Sequence, residues 1–274
     1  MVILKGWQVF VTRTYAITTS LFTVISVIGV FVDARQWLKS PSDVWIVLII
    51  VLAISSIISV IWTLCINRSI AVKINDKSVT LKYGDIFEGR GGIRVIAVNR
   101  CFDTTVDDEI IARSSLHGQF IIRYFGNSEN KLRDMIFKAL ENVDFDDVGE
   151  VKPHGNHKRY PVGTIVPIRV ADGTIYYLLA LTEMNCDCKT HCTPEDYFKA
   201  LCALIDYCNQ HANGRWVEIP LIGSSELSRM AATKQDKLTA MLSVLMLKSR
   251  EIACDISIVV GKRDRHNVSI NRYE

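Results

Sequence analysis

The chain has 274 residues, 49% of them hydrophobic, and a formal net charge of +3. That length accommodates one domain of ordinary size plus a short extra segment. So small a charge, without a Lys/Arg run or a basic-aromatic stripe, excludes nucleic acid as a partner.

The apolar residues crowd into the first 66 positions. Residues 14–32 contain no charge and are bounded by Arg13, Asp33 and Arg35, and a second uncharged run covers 44–67 before Arg68. Each is long enough for one membrane crossing, so the sequence predicts an N-terminal segment (1–67) of two transmembrane helices, at about 14–32 and 44–66, followed by one domain over 68–274. A cleaved signal peptide would have a shorter apolar core and a small-residue cleavage site. Trp7, Trp37, Trp45, Trp62 and Tyr15 lie in or beside the two runs, where their rings would anchor at headgroup level. The short connection through Ser-Pro-Ser (40–42) predicts an antiparallel hairpin. Arg68, Lys73, Lys77 and Lys82 beyond it, against Arg35 and Lys39 within it, place the C-terminal domain in the cytoplasm. Thr19, Thr23, Ser26, Ser55, Ser56 and Ser59 mark faces where helices could approach closely and share hydrogen bonds, within one hairpin or between chains. The eight cysteines are scattered, one of them in the second run, and fit free thiols in a reducing cytosol.

In the domain, alternation predicts strands at Ile70–Ile74 and Ser78–Tyr83 around Asn75-Asp76, and a short buried strand at Arg94–Val98. Helical periodicity follows at Lys131–Leu140. Gly163–Val170 and Thr174–Leu181 read as strands joined at Asp172-Gly173. A helix from Pro194 to His211 is introduced by Thr193 as cap, with acidic residues in its first turn. Trp216–Ile222 is a further strand, Lys234–Arg250 an amphipathic helix and Asp255–Val260 a last apolar strand. The fold class is therefore α/β, a mixed sheet flanked by helices.

In such a sheet, ligands bind where strands end and loops lead on to helices. Three loops stand out: Gly84-Asp85-Ile86; 99–118, from Asn99, Arg100, Cys101, Phe102, Asp103 and Thr104 to Ser115, Leu116, His117 and Gly118; and 222–229, with Gly223, Ser224, Ser225 and Arg229. Gly, Ser and Thr at such turns offer backbone amides to phosphate, and an arginine adds a bidentate charge.

Taken in order, these loops resemble those of the macro-domain family. The resemblance implies that Asp85 and Ile86 read adenine. It also implies that Asn99, Phe102, Asp103, Thr104, Ser115, His117 and Gly118, with Gly223, Ser224, Ser225 and Arg229, hold the diphosphate and distal ribose of ADP-ribose. The family's Asn-Ala-Ala-Asn and glycine-rich run are replaced by Asn-Arg-Cys-Phe-Asp and Ser-Leu-His-Gly, which favours a binder over a hydrolase.

Two spans before such a domain, with Phe-Asp-Thr at 102–104, Ser-Leu-His-Gly at 115–118, Tyr-Pro-Val-Gly-Thr at 160–164 and Ile-Pro-Leu-Ile-Gly-Ser at 219–224, are similar to the transmembrane macro effectors of type II Thoeris antiphage systems. That likeness implies an inner-membrane protein with a cytoplasmic macro domain and no catalytic residues. Its ligand would be histidine-ADP-ribose made by a TIR-domain partner. Binding would drive homo-oligomerisation, membrane disruption and abortive infection. The alternative is a membrane-tethered ADP-ribosyl hydrolase. No cofactor or metal is expected; Cys186, Cys188, His191 and Cys192 pack four potential soft ligands into seven residues, but not in a recognised zinc spacing.

Overall fold

The structure, a computed structural model, describes residues 69–273 except 75–76, 127, 150–151, 153, 186–188 and 224–230, together with residues 12, 15–20, 23, 45–46, 49–51 and 53–58. It divides into two compact units, Met1–Arg68 and Ser69–Glu274.

Most of the two predicted spans lies outside the described residues, and among the described residues no helix is long and apolar enough to cross a membrane. The described parts of the first unit are helical. Their hydroxyls bond back along the helix: Thr19 to the carbonyl of Tyr15 at 2.8 Å, Thr23 to that of Thr19 at 2.9 Å, and Ser55 to that of Val51 at 2.7 Å. These bonds run within one helix, so Thr19, Thr23 and Ser55 meet their hydrogen-bonding need locally rather than across a helix pair. Between 45 and 58 the polarity is inverted relative to a water-soluble helix. Ile46, Ile49, Ile50, Ile54 and Ile57 are exposed while Ser55 is fully buried.

The second unit is built in chain order from β1 (Ser69–Ile74), β2 (Lys77–Gly84), β3 (Ile93–Asn99), α1 (Leu116–Tyr124), α2 (Glu129–Ala139), β4 (Asp146–Asp147), β5 (Lys158–Arg159), β6 (Ile165–Arg169), β7 (Ile175–Met184), β8 (Thr190–His191), α3 (Pro194–His211), β9 (Val217–Pro220), α4 (Lys234–Leu247) and β10 (Ile256–Gly261). Short 3-10 turns follow at Lys262–Asp264 and Ile270–Tyr273. The main sheet runs β1-β2-β10-β9-β3-β7-β6. Its middle strands β2, β10, β9, β3 and β7 are parallel, and β1 and β6 close the edges antiparallel. A mixed sheet flanked by helices is what the sequence predicts.

Both faces of the central strands are covered, as a parallel sheet requires. Along β7, Tyr177, Leu179 and Leu181 face one core with α3 and α4, whereas Tyr176, Leu178 and Ala180 face the other with α1 and α2. The helix starts follow the sequence: Thr193 accepts a hydrogen bond from the amide of Asp196, and Thr233 forms a reciprocal capping box with Asp236.

Two elements depart from the sequence reading. The stretch 115–118, read as loop, opens helix α1, capped by the Ser115 hydroxyl accepting from the Gly118 amide at 3.0 Å. Gly118 and two consecutive isoleucines depress local helix propensity, so packing rather than propensity makes this helix. The small pair β4–β5, joined at Asp146↔Arg159 and Asp147↔Lys158, has no alternating pattern to announce it.

Candidate functional site

The parallel strands all end at one edge of the sheet, and two neighbouring cavities open there. The larger, about 580 Å³, is lined by the ends of β3 and β7 (Val98, Asn99, Thr182), the lead-in to α1 (Ala112, Ser114, Ser115) and its first turn (His117), the turn after β9 (Leu221, Ile222, Gly223), and Lys234 and Arg263. The smaller, about 370 Å³, is lined by Gly84, Asp85 and Ile86 after β2, Gln119 of α1, and Lys262, Arg263 and Asp264 after β10. Ser114, Leu116, Pro220, Leu221 and Arg263 line both, so the two cavities share a wall.

Asp85 sits where β2 stops. Its Oδ1 accepts from the amide of Phe87 at 3.0 Å and its backbone carbonyl from Glu88 at 3.1 Å, a tight turn that leaves Asp85 exposed and Ile86 buried. A carboxylate has acceptor capacity beyond one such bond.

Asn99 ends β3 at a register shift in the pairing with β7. Its side-chain oxygen accepts from the amides of Cys101 and Asp103, at 3.1 and 3.2 Å, folding the chain into a compact turn. Phe102 sits in that turn at φ +48°, a left-handed conformation that is costly for a bulky residue. It is buried, with its ring edge-on to Tyr160 at 5.8 Å.

Beyond this turn the structure departs from the expected site. Phe102, Asp103, Thr104 and Gly118 line neither cavity. Asp103 and Lys152, each about 1% exposed, form an ion pair at 2.6 Å. Asp103 also accepts from the backbone amide of Asn156 at 2.6 Å, and the Asn156 side-chain amide donates to the carbonyls of Cys101 and Phe102. Gly155 has φ +81°, and a Cβ there would lie 2.3 Å from Asp103, so this clamp requires glycine. A charge in the loop after β3 looked like a ligand contact because its partner lies 49 residues away in sequence. Gly118 spends its amide on the Ser115 cap, and a Cβ there would lie 2.3 Å from the carbonyl oxygen of Ala112. Its glycine serves close packing, not an open amide.

Four of the expected loop residues do meet at the larger cavity: Asn99, Ser115, His117 and Gly223. His117 is buried, its Nε2 has no hydrogen-bond partner, and burial pushes its pKa down to about 3, so the imidazole is neutral. Cys101 is unsuited to nucleophilic attack, because burial pushes its thiol up to about 11. Asp107 accepts from the amides of Glu109 and Ile110 in a turn. Ser224, Ser225 and Arg229 lie outside the described residues, as do Cys186 and Cys188. Of the cluster around them, His191 pairs with Glu183 at 3.3 Å and Cys192 is buried with its thiol pushed up to about 11. Among the described residues no group of His, Cys, Asp and Glu could hold a metal ion.

Lys237 and Arg263 were missing from the sequence reading. Lys237 is buried on α4 and donates to the Gly223 carbonyl at 2.6 Å, tying the turn after β9 to the helix. Burial, with Lys234 close by, holds its pKa below the ordinary lysine range. Its signal was visible, since it shares the apolar i, i+4 stripe with Met241 and Leu245. Arg263 follows β10 in no recognisable motif.

The family described as the macro domain of the Thoeris protein ThsA matches residues 79–261. The Thoeris protein ThsA of Bacillus amyloliquefaciens (strain Y2) is 30% identical over 224 residues, covering 80% of this chain and 70% of that protein. Among solved structures, a glycine variant of the Oceanobacillus iheyensis macrodomain with ADPR aligns at a TM-score of 0.50 and 14% identity, over 72% of this chain and 93% of its own. At that identity the likeness concerns the fold alone.

Proposed function

Because the chain belongs to the family of the Thoeris protein ThsA and its macro domain, we propose that it is a non-enzymatic antiphage effector whose cleft binds an ADP-ribose-like signal. The observation carrying this reading is the pair of cavities at the carboxyl ends of the parallel strands. The smaller has the Asp85 carboxylate at its mouth, the larger has Asn99, Ser115, His117 and Gly223, and the wall between them is common. A molecule with two ring systems joined by a diphosphate fits that plan: adenine at Asp85, the distal ribose at Asn99, and the linker across the shared wall.

Binding rather than turnover is supported by the state of the candidate groups. The Asn99 oxygen is occupied by backbone amides, Asp103 is locked to Lys152, the Cys101 thiol is held protonated and His117 is deeply buried.

The type II assignment, histidine-ADP-ribose as the signal and a TIR-domain protein as its source complete the proposal. So do an inner-membrane location with the macro domain in the cytoplasm, oligomerisation, membrane disruption and abortive infection. The exposed isoleucines around a buried serine between 45 and 58, and hydroxyls satisfied along their own helix, support a lipid-facing surface. If the ligand favours the assembled state, assembly must in turn tighten the ligand by the same factor.

Titration of the full chain in detergent micelles with ADP-ribose and with its histidine conjugate tests the reading. Saturable heat is expected from both, and none from either would remove it. Asp85→Asn keeps the turn acceptor but presents an amide donor to the adenine amine. It is expected to weaken ADP-ribose about 10-fold, the scale of one charged hydrogen bond, with the melting temperature unchanged.

A further inference from the structure

We propose that Arg263 is a specificity-determining residue that pairs with the ligand's diphosphate on the wall shared by the two cavities, selecting nucleotides with two phosphates over nucleosides. The proposal rests on the binding reading above and adds which side chain reads the charge.

Among the described residues that line both cavities, Ser114, Leu116, Pro220, Leu221 and Arg263, only Arg263 is charged. Among the described residues, the other lining cations are engaged elsewhere. Lys262 pairs with Glu88 at 2.6 Å, and Lys234 pairs with Asp264 at 2.5 Å. Lys237, which lines neither cavity, donates its ammonium to the carbonyl of the lining residue Gly223. Asp264, the next residue in the chain, thus serves Lys234, and among the described residues Arg263 has no ion pair or side-chain hydrogen bond.

Arg263 belongs to the 3-10 turn Lys262–Asp264 directly after β10, the strand between β2 and β9. The smaller cavity opens after β2 and the turn through Gly223 follows β9, so the residue after β10 stands between the two ends of the ligand. A guanidinium presents a planar fork that matches phosphate oxygens bidentately, and it is always charged. A doubly negative diphosphate crossing this wall therefore meets a cation that no acid among the described residues has neutralised. Adenosine offers no such group and gains nothing from it.

The test uses the full chain in detergent micelles, titrated with ADP-ribose, ADP and adenosine at several salt concentrations, with adenosine read by displacement of ADP-ribose. Arg263→Gln is expected to weaken ADP-ribose and ADP about 10- to 100-fold, the range of a charge-assisted contact, and to leave adenosine within about twofold. The salt dependence of ADP-ribose binding should become shallower, which a purely structural role would not produce. Arg263→Lys should recover part of the loss. Since Arg263 is exposed, the melting temperature should not move. Equal weakening of adenosine and ADP-ribose would overturn the proposal by placing Arg263 on the base, and so would unchanged affinity with an unchanged salt slope. Wild-type protein silent to all three probes would overturn the binding reading and this assignment together, whereas wild-type binding with an indifferent Arg263→Gln overturns this assignment alone.

Discussion

Replacing Lys152 by alanine is expected to cost about 3–5 kcal/mol of folding stability, because it strands a buried carboxylate without its counter-charge. Asp103 is about 1% exposed, and after the change it would keep only the Asn156 amide at 2.6 Å. For a domain of this size the loss corresponds to a fall in melting temperature of roughly 6–20 °C. Buried pairs are costly to break and much less costly to replace. The double variant Lys152→Met with Asp103→Leu should therefore recover most of the loss. Thermal melts of the wild type, both single variants and the double variant, arranged as a cycle, decide the matter. A Lys152→Ala protein melting within about 2 °C of wild type would mean that the pair contributes little. The same change should weaken the ligand, since the clamp holds the turn whose first residue, Asn99, lines the larger cavity.

Acid should destabilise the domain through His117. Its folded-state pKa of about 3 lies below the unfolded value near 6.5, so between those pH values the unfolded chain binds the extra proton. The stabilising contribution is complete above about pH 6.5 and is lost as the pH falls toward 3, at up to about 1.4 kcal/mol per pH unit. From pH 6.5 to pH 5 that amounts to about 1–2 kcal/mol. Carboxylates add their own acid sensitivity, so the comparison is with His117→Gln, which cannot take the proton. Denaturant melts at both pH values should show wild type losing more than the variant by that amount. Parallel losses would mean that the imidazole is already charged, or accessible, in the folded protein.

How much of this was legible depended on the range of the interaction. The hairpin of β1 and β2, the caps at Thr193 and Thr233, and the apolar strands β3, β7 and β10 follow from patterns within a dozen residues. The position of Asp85 at a cavity was legible, because the end of a parallel strand is a local signal. Asp103 was not, because only the fold brings Lys152 to it. Helix α1 was hidden by Gly118, a residue that weakens helices in isolation and here lets the helix pack against the Ala112 carbonyl. Arg263 carries no motif at all. Its importance comes from the β2-β10-β9 strand order, which a pass along the chain does not reveal.

The register of β1 has a mechanical consequence. Ser69, the first residue of the domain, pairs with Lys82, two residues before Gly84 and three before Asp85. The domain therefore begins at the cleft end of the sheet, on an antiparallel edge strand that, among the described residues, pairs with β2 alone. Tension or torque arriving along the backbone at Ser69 is borne first by that ladder, about 10 Å of β2 away from the turn that carries Asp85. By the same route, a shift at the Asp85 turn reaches Ser69 through the β1–β2 ladder alone.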